Sequence, residues 1–322
     1  MNWNYYKRIC QAYLSTKGSH LSFWHETPSV NSAAFTDGSD QYFMTFLDKT
    51  CYIGPFDYSG VPMLDYRGTI GCQYNPIAIA QYGLGCFNRF RNEGDTSWLT
   101  RARSSADWLV DNLEQNKNKH WVWMHRFDWE YYKKLKAPWY SGLAQGQGIS
   151  LLVRMAKACR EHIYADAARS AFRAMTVPVD EGGTLFVDDA GNCWIEEYIT
   201  DPVTHILNGM IWALWGVYDF AIFTNDIYAY DLWQRGLVTL RNGLGRFDCG
   251  FWSLYDLAPL TKKNLASSFY HQLHIVQMDI MFQLSGLPLF KVYQKQWTTY
   301  QATWIYRQRA FLNKVAFKLI FY

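Results

Sequence analysis

Residues 191–205, GNCWIEEYITDPVTH, and the apolar run behind them, Ile206 to Phe220, decide how the chain is read. Thr184-Leu-Phe-Val187 favours a strand, Asp188-Asp-Ala-Gly-Asn192 supplies turn residues, and Cys193 to Tyr198 returns as the partner. A hairpin over 184–198 is therefore expected, with Asp201-Pro202 ending it. The run from Ile206 is apolar almost all round, which predicts a buried helix. Two adjacent carboxylates, Glu196 and Glu197, and the phenol of Tyr198 thus stand at a strand end, just before a buried helix.

Upstream, helical spacing begins at Pro76, a residue suited to a first turn where no N–H is needed. Ile77 to Leu84 runs into a second helix, in which Leu99, Ala102, Ala106, Leu109, Val110 and Leu113 recur at helical spacing. Residues 119–132, KHWVWMHRFDWEYY, alternate like a strand. After Pro138, Ile149, Leu152, Val153 and Ala156 share one helical face, and Ala165 to Met175 follows as a further helix. Downstream, Thr204–Phe223 and Asp226–Asn242 are helical, 246–257 is extended, and His271–Leu284 and the remainder from Leu289 are helical. Helix pair and hairpin alternate through four pairs. The rhythm predicts a mainly α fold, an (α/α) barrel or toroid of helical hairpins with β-hairpins lining a cleft. Residues 1–70 are expected to form an arm, with Ile9, Tyr13 and Leu14 on one side, and a small β-rich region with strands at Gln41–Leu47 and Lys49–Ile53. Residues 71–322 are expected to form the barrel, and no Ser/Gly/Pro-rich linker marks a second one.

A net charge of +3 over 322 residues argues against bulk nucleic-acid binding. The aromatic share of 18%, with 23 Tyr and 15 Trp, fits a carbohydrate groove, where sugar C–H faces stack on rings, or an aromatic-rich core. Seven cysteines, at 10, 51, 72, 86, 159, 193 and 249, form no Cys-x-x-Cys pair, so neither a zinc site nor a disulfide framework is expected, and a reduced, cytoplasmic setting is. The N-terminus lacks the apolar run of a signal peptide, and no stretch reaches the ~18 uninterrupted apolar residues of a spanning helix. From Leu287 on there is no acidic residue, while Lys291, Lys295, Arg307, Arg309, Lys314 and Lys318 are basic. Trp297, Tyr300, Trp304 and Phe311 recur there near helical spacing, as in a closing helix packed on the barrel or a helix lying on an anionic membrane.

Five segments carry a more specific signal. They are Asn75 to Leu84 (NPIAIAQYGL), Ala137 to Arg154 (APWYSGLAQGQGISLLVR), Trp194 to Tyr198 with Thr204 to Gly209, Leu254-Tyr-Asp-Leu257, and Asn264-Leu-Ala266 ahead of Tyr270-His271. Together, over roughly residues 70–285, they resemble the C-terminal catalytic domain of the D-glucuronyl C5-epimerase family. The resemblance implies an (α/α) barrel, conversion of glucuronate to iduronate in an acidic, heparosan-type polysaccharide, and no organic cofactor. It also implies a glutamate and tyrosines at the site, which fall on Glu197, Tyr198, Tyr255 and Tyr270. Two departures stand out. Ala258-Pro259 occupies the place where the family commonly has a basic pair, and the interval from Tyr255 to Asn264 is short.

Epimerisation at C5 removes a carbon-bound proton beside a carboxylate and returns one from the opposite face. The enediolate-like intermediate carries extra negative charge, so donors must be aimed at it beforehand. A free Glu titrates near about 4.3 and a free Tyr near about 10, and burial or a nearby cation brings each toward neutral pH. Glu197 and one tyrosine form the expected pair, with Tyr198, Tyr255 and Tyr270 competing for the second role. Candidate substrate-binding residues are Arg126, Tyr140, Gln145, Gln147, Glu196, Asn264 and His271, with Arg154 a further candidate clamp for a carboxylate. Gln145-Gly-Gln147-Gly148 is no phosphate loop; its glycines are expected to let a helix N-terminus approach the cleft and offer the glutamines to sugar hydroxyls.

Plainer readings compete: adjacent glutamates at a hairpin end as a solvated pair, isolated tyrosines as core or rim, single arginines as ordinary ion-pair partners. His271 and His274 lack a third ligand at motif spacing, so no metal is expected. The competing functions are a polysaccharide lyase, which shares the first step, and a non-catalytic glycan-binding module. The expected partner is an acidic polysaccharide and not a nucleic acid. A homodimer and peripheral membrane contact through the basic aromatic tail are left open.

Overall fold

Asn75 starts the first long helix. Its side-chain oxygen accepts a hydrogen bond from the Ile77 N–H at 2.9 Å, and Pro76 takes the first turn. In the computed structural model, which describes residues 20–24 and 26–321, α1 (Pro76–Glu93) ends at Gly94 in the left-handed region, with φ 73°. Asp95 then caps α2 (Thr96–Asp111). The hairpin recurs as α3 (Gly142–Cys159) with α4 (His162–Arg173), α5 (Leu207–Thr224) with α6 (Ile227–Gly243), and α7 (Ser268–Ser285) with α8 (Pro288–Ala302). Helices α1, α3, α5 and α7 lie side by side in that order, and each is backed by its own partner. The fold is thus mainly α, a toroid of helical hairpins, as the rhythm of the sequence predicts. The arm residues Ile9, Tyr13 and Leu14 lie outside the described residues.

Three antiparallel two-stranded hairpins precede the inner helices. β1 (Leu64–Asp65) with β2 (Cys72–Gln73) leads into α1, β3 (Leu113–Gln115) with β4 (Trp121–Trp123) stands between α2 and α3, and β5 (Leu185–Val187) with β6 (Cys193–Ile195) between α4 and α5. In the last, Leu185 pairs with Ile195 and Val187 with Cys193, the hairpin expected over 184–198. β3–β4 and β5–β6 occupy outer-to-inner connections and β1–β2 precedes the first inner helix, so they gather at the end of the toroid where the inner helices begin.

Four expectations need correction. Gln41–Leu47 is not a strand: only Met44 makes an isolated bridge, to Val30, before the helical turn that begins at Leu47. Lys49–Ile53 is not a strand: Phe46 adopts a left-handed conformation, φ 48°, which turns the chain into a helical turn at Leu47–Thr50. Segment 246–257 is held by isolated bridges, Asp248 to Ser253 and Leu254 to Leu265, rather than by a regular strand. The tail breaks at Thr303 into α8 and α9 (Trp304–Phe321). On α9, Ala310 and Phe317 are buried while Trp304, Phe311, Leu312 and Ile320 are exposed, so the aromatic stripe of the tail is split between core and surface. Among the described residues no helix is long and apolar enough to cross a membrane.

The inner ring closes tightly because of glycine. A Cβ on Gly146 of α3 would lie 2.4 Å from the Ala213 Cα of α5, and one on Gly216 would lie 2.2 Å from the Gly146 carbonyl oxygen. Gly146 therefore serves helix-to-helix contact and Gly148 the packing of α3 on the Trp123 ring, and not, as expected, an approach to the cleft. Arg154 on α3 locks the same pair: its guanidinium donates to both carboxylate oxygens of Asp219 on α5, at 2.6 and 3.1 Å, and to the Gln41 carbonyl. Buried on Asp219 and away from the cavity described below, Arg154 is a structural residue and not a clamp for substrate. Asn88 on α1 fastens the N-terminal segment, accepting from the Tyr42 N–H at 2.7 Å and donating to the Met44 carbonyl at 2.8 Å. Overpacking a backbone-to-backbone contact costs about 1–3 kcal/mol or more. G146A and G216A are each expected to lower the melting temperature by several degrees, and an unchanged melting curve for both would contradict this contact.

Candidate active site

The first turns of the four inner helices surround a cavity of about 480 Å³. Asn75, Ile77 and Gln81 come from α1, Leu143 from α3, Asn208 and Trp212 from α5, and Tyr270 and Leu273 from α7. Helix N-termini carry partial positive charge, so the cavity is biased toward anions before any side chain is counted. Phe127, Trp129, Tyr131 and Trp139, from the segment between β4 and α3, form an aromatic wall.

Glu197 reaches this cavity and Glu196 does not. Successive side chains at a strand end point to opposite faces, so two adjacent glutamates cannot share one. Glu196 is fully buried on the far side, accepting from the His205 backbone N–H at 3.1 Å and approaching His205 Nδ1 at 2.5 Å. It holds His205, which has φ 49°, in the turn that starts α5, while Trp194 stacks on the imidazole at 4.3 Å. Glu197 is only 4% exposed and lies against the first turn of α5, where a Cβ on Gly209 would sit 2.1 Å from its Oε2. Gly209 is what lets the carboxyl lie there. Among the described residues that Oε2 has no hydrogen-bond partner. Burial pushes the Glu197 pKa up to about 8; Asp256 and Glu196 add to the rise, and hydrogen bonding from Tyr198 opposes it.

Three phenols line the same cavity. Tyr198 packs edge-on to Tyr131 and Trp139, with ring centres 5.0 and 5.6 Å apart. Tyr255 and Tyr270 meet edge to face at 4.8 Å. Burial, then the charge of Glu197, holds the Tyr255 pKa well above its usual value. The Tyr270 pKa is raised by the same two causes in the same order, with hydrogen bonding to Tyr255 pulling it partly back. Carboxyl and phenols thus line one space, although they come from residues far apart in the chain.

Behind Tyr255 runs a polar chain that sequence reasoning largely missed. Asp256 Oδ2 accepts from the Tyr131 hydroxyl and from Asn264 Nδ2, both at 2.6 Å. The Asn264 side-chain oxygen accepts from Lys314 Nζ at 2.8 Å, and the Leu265 carbonyl accepts from the same ammonium at 2.7 Å. Lys314 enters from α9 and lines the cavity. Burial lowers its pKa to about 8, against the pull of Asp256. The available signal was Ala310, Lys314 and Phe317 at helical spacing, one cation on an otherwise apolar inward face.

Of the expected substrate-binding residues, Asn264 alone lines the cavity. Arg126 lies outside it, with a side chain 67% exposed and paired to Glu114 at 2.6 Å. Tyr140 donates to the Gly183 carbonyl at 3.4 Å. Gln145 is spent inside the fold, accepting from the Trp123 N–H and donating to the carbonyls of Trp121 and Ala171. Gln147 accepts from Gln81 at 3.0 Å and is itself fully buried. His271 stacks on Trp252 at 3.7 Å, with its ring nitrogens facing Ser253 and the Trp297 carbonyl, and His274 shares the Ser253 hydroxyl. In each case packing supplied a partner that the local sequence does not reveal.

A toroid of helical hairpins with a buried carboxyl and three phenols at the N-terminal ends of its inner helices defines the class of protein. The comparisons make the class specific. Residues 115–299 match the family described as D-glucuronyl C5-epimerase C-terminus, and the chain belongs to that family. It is 34% identical over 188 residues to the D-glucuronyl C5-epimerase of Caenorhabditis elegans, a match covering 53% of this chain and 30% of the nematode protein. It is 27% identical over 265 residues to an uncharacterized protein of Methanocaldococcus jannaschii, covering 76% of this chain and 84% of that one. Among solved structures it is similar to the unsaturated glucuronyl hydrolase of Bacillus sp. GL1, at 14% identity and a TM-score of 0.47, covering 92% of this chain and 83% of that one.

The raised pKa of Glu197 has a consequence for stability. In the unfolded chain the group titrates near 4.5, in the folded chain near 8, so the folded state binds the extra proton between these values. Stability contributed by this group therefore falls as pH rises from about 4.5 to about 8. E197Q removes the titration. It is expected to melt on the order of 5 °C above the parent at pH 8 and to match it near pH 4.5. A difference that does not change with pH would mean that Glu197 is ionised in the fold throughout.

Proposed function

We propose that this chain is a C5-epimerase acting on D-glucuronate residues of an acidic, heparosan-type polysaccharide and giving L-iduronate. One observation carries the reading: the Glu197 carboxyl and the hydroxyl-bearing rings of Tyr198, Tyr255 and Tyr270 line a single aromatic-walled cavity. Membership of the family supports it.

The chemistry follows from the two kinds of acid. Glu197, with a pKa near 8, is a carboxyl poised to take and return a proton close to neutral pH. Tyr255 and Tyr270, with raised pKa values, stay protonated and present O–H donors. A uronate ring seated between them meets a base on one face of C5 and a phenol on the other. Glu197 takes the C5 proton, the electron pair moves into the adjoining carboxylate, and a phenol returns a proton to the opposite face. Proton exchange among the clustered tyrosines and Glu197 then restores the starting state. The walls of Trp129, Trp139 and Tyr131 suit the C–H faces of a sugar ring.

The test is NMR of heparosan incubated with the protein in heavy water. Deuterium is expected at C5, with iduronate signals appearing. Y255F and E197Q are each expected to reduce exchange by at least about 10³-fold, in line with removing a proton-transfer group, with the melting transition retained. Full exchange by either variant would remove that residue from the mechanism. Release of an unsaturated, ultraviolet-absorbing uronate would replace epimerisation by elimination, and binding without exchange would leave a glycan-binding module.

A further inference from the structure

Three lysines line the cavity: Lys49, and on α9 Lys314 with Lys318 a turn further along. Lys49 already has its counter-ion: its Nζ lies 3.4 Å from Glu26 and donates to the Phe23 carbonyl at 2.8 Å. Lys314 does not. Its ammonium donates to two neutral oxygens, the Asn264 side chain and the Leu265 carbonyl, and among the described residues no carboxylate stands within ion-pair distance. Asp256, the nearest acidic influence, has its oxygens taken up by Tyr131, Asn264 and the Ala258 N–H. An ammonium has three N–H donors, so one remains for a ligand. Holding a half-buried cation against neutral acceptors costs free energy that an apolar side chain would not. Such a site is completed by an anion that arrives from outside.

The position fits one anion in particular. Lys314 Nζ lies 5.6 Å from the centre of the Tyr255 ring, which itself meets Tyr270. In a uronate the carboxylate is bonded directly to C5. If C5 faces these phenols, its carboxylate lies on the side of the cavity where the ammonium stands. The segment after Tyr255, Asp256-Leu-Ala-Pro259, offers no cation of its own. Helix α9 brings one from beyond residue 299, where the match to the family ends.

Resting on the epimerase reading, we propose that Lys314 receives the carboxylate of the reacting uronate, and that α9 is thereby part of the active unit. The ammonium neutralises the carboxylate in the bound state and holds the second charge that develops there as the C5 proton leaves.

The experiment compares a heparosan oligosaccharide with its carboxyl-reduced counterpart, in which glucose replaces glucuronate. Binding to the full chain is measured by calorimetry, and C5 exchange by NMR, for the parent, K314M and K314Q. The glutamine amide keeps donors for Asn264 and Leu265 without the charge, so it serves if the methionine variant does not fold. K314Q is expected to weaken binding of the uronate oligosaccharide by about 10–100-fold, the range of one charge-assisted hydrogen bond. It is expected to change binding of the reduced oligosaccharide less than about twofold. Equal losses on both ligands would make Lys314 a structural residue, and no loss on either would remove it from the site; both overturn the proposal while exchange by the parent stands. If the parent binds the uronate form without exchange, epimerisation falls and the carboxylate role is judged on binding alone. If the parent binds neither, both fall.

Discussion

Glu197 lies with its carboxyl pressed onto Gly209 in the first turn of α5, and the cavity is arranged around that contact. A carboxyl loses its water there and gains little in return, so it holds its proton to about pH 8. The neighbouring glutamate makes this sustainable. Glu196 faces the other way, grips both the backbone and the ring of His205, and fixes the left-handed turn from which α5 starts. One residue sets the angle at which α5 leaves the hairpin, and the other uses the space so created. A strand end that presents alternate faces does both jobs with two identical side chains.

The toroid explains why the site lies where it does. α2 and α4 return through β-hairpins to the next inner helix, and α6 through a segment held by isolated bridges, so these connections and the N-terminal ends of α1, α3, α5 and α7 gather at one end. Aligned helix N-termini favour an anion there. The glycine contact between α3 and α5 and the buried Arg154–Asp219 pair keep the ring rigid below that end. Lys314 then arrives from α9, outside the ring of paired helices, and adds a positive charge to the cavity.

Much of this was legible before any coordinates. The alternation of helix pairs and hairpins carried the fold class, and the apolar run from Ile206 marked a buried helix. The segments around Glu197, Tyr255, Asn264 and Tyr270 carried the family, and those residues do meet at one cavity. Arg126, Tyr140, Gln145, Gln147 and His271 have the chemistry of sugar-binding groups, yet each is engaged elsewhere. Their residue types state what they can bond to and not what packing places beside them. Glycines 146 and 148 misled for the same reason, since permission for close approach does not name the neighbour.

By itself, then, the order of residues determined what is periodic or local: which stretches are helical, where the caps and turns fall, and which short motifs recur within a family. Only the tertiary structure decided which of two adjacent glutamates faces the cavity, which arginine is consumed by the core, and that a lysine near residue 314 stands beside tyrosines at 255 and 270. Helix and strand propensities act over a few residues, whereas burial, counter-ions and pKa shifts depend on groups brought together from distant parts of the chain.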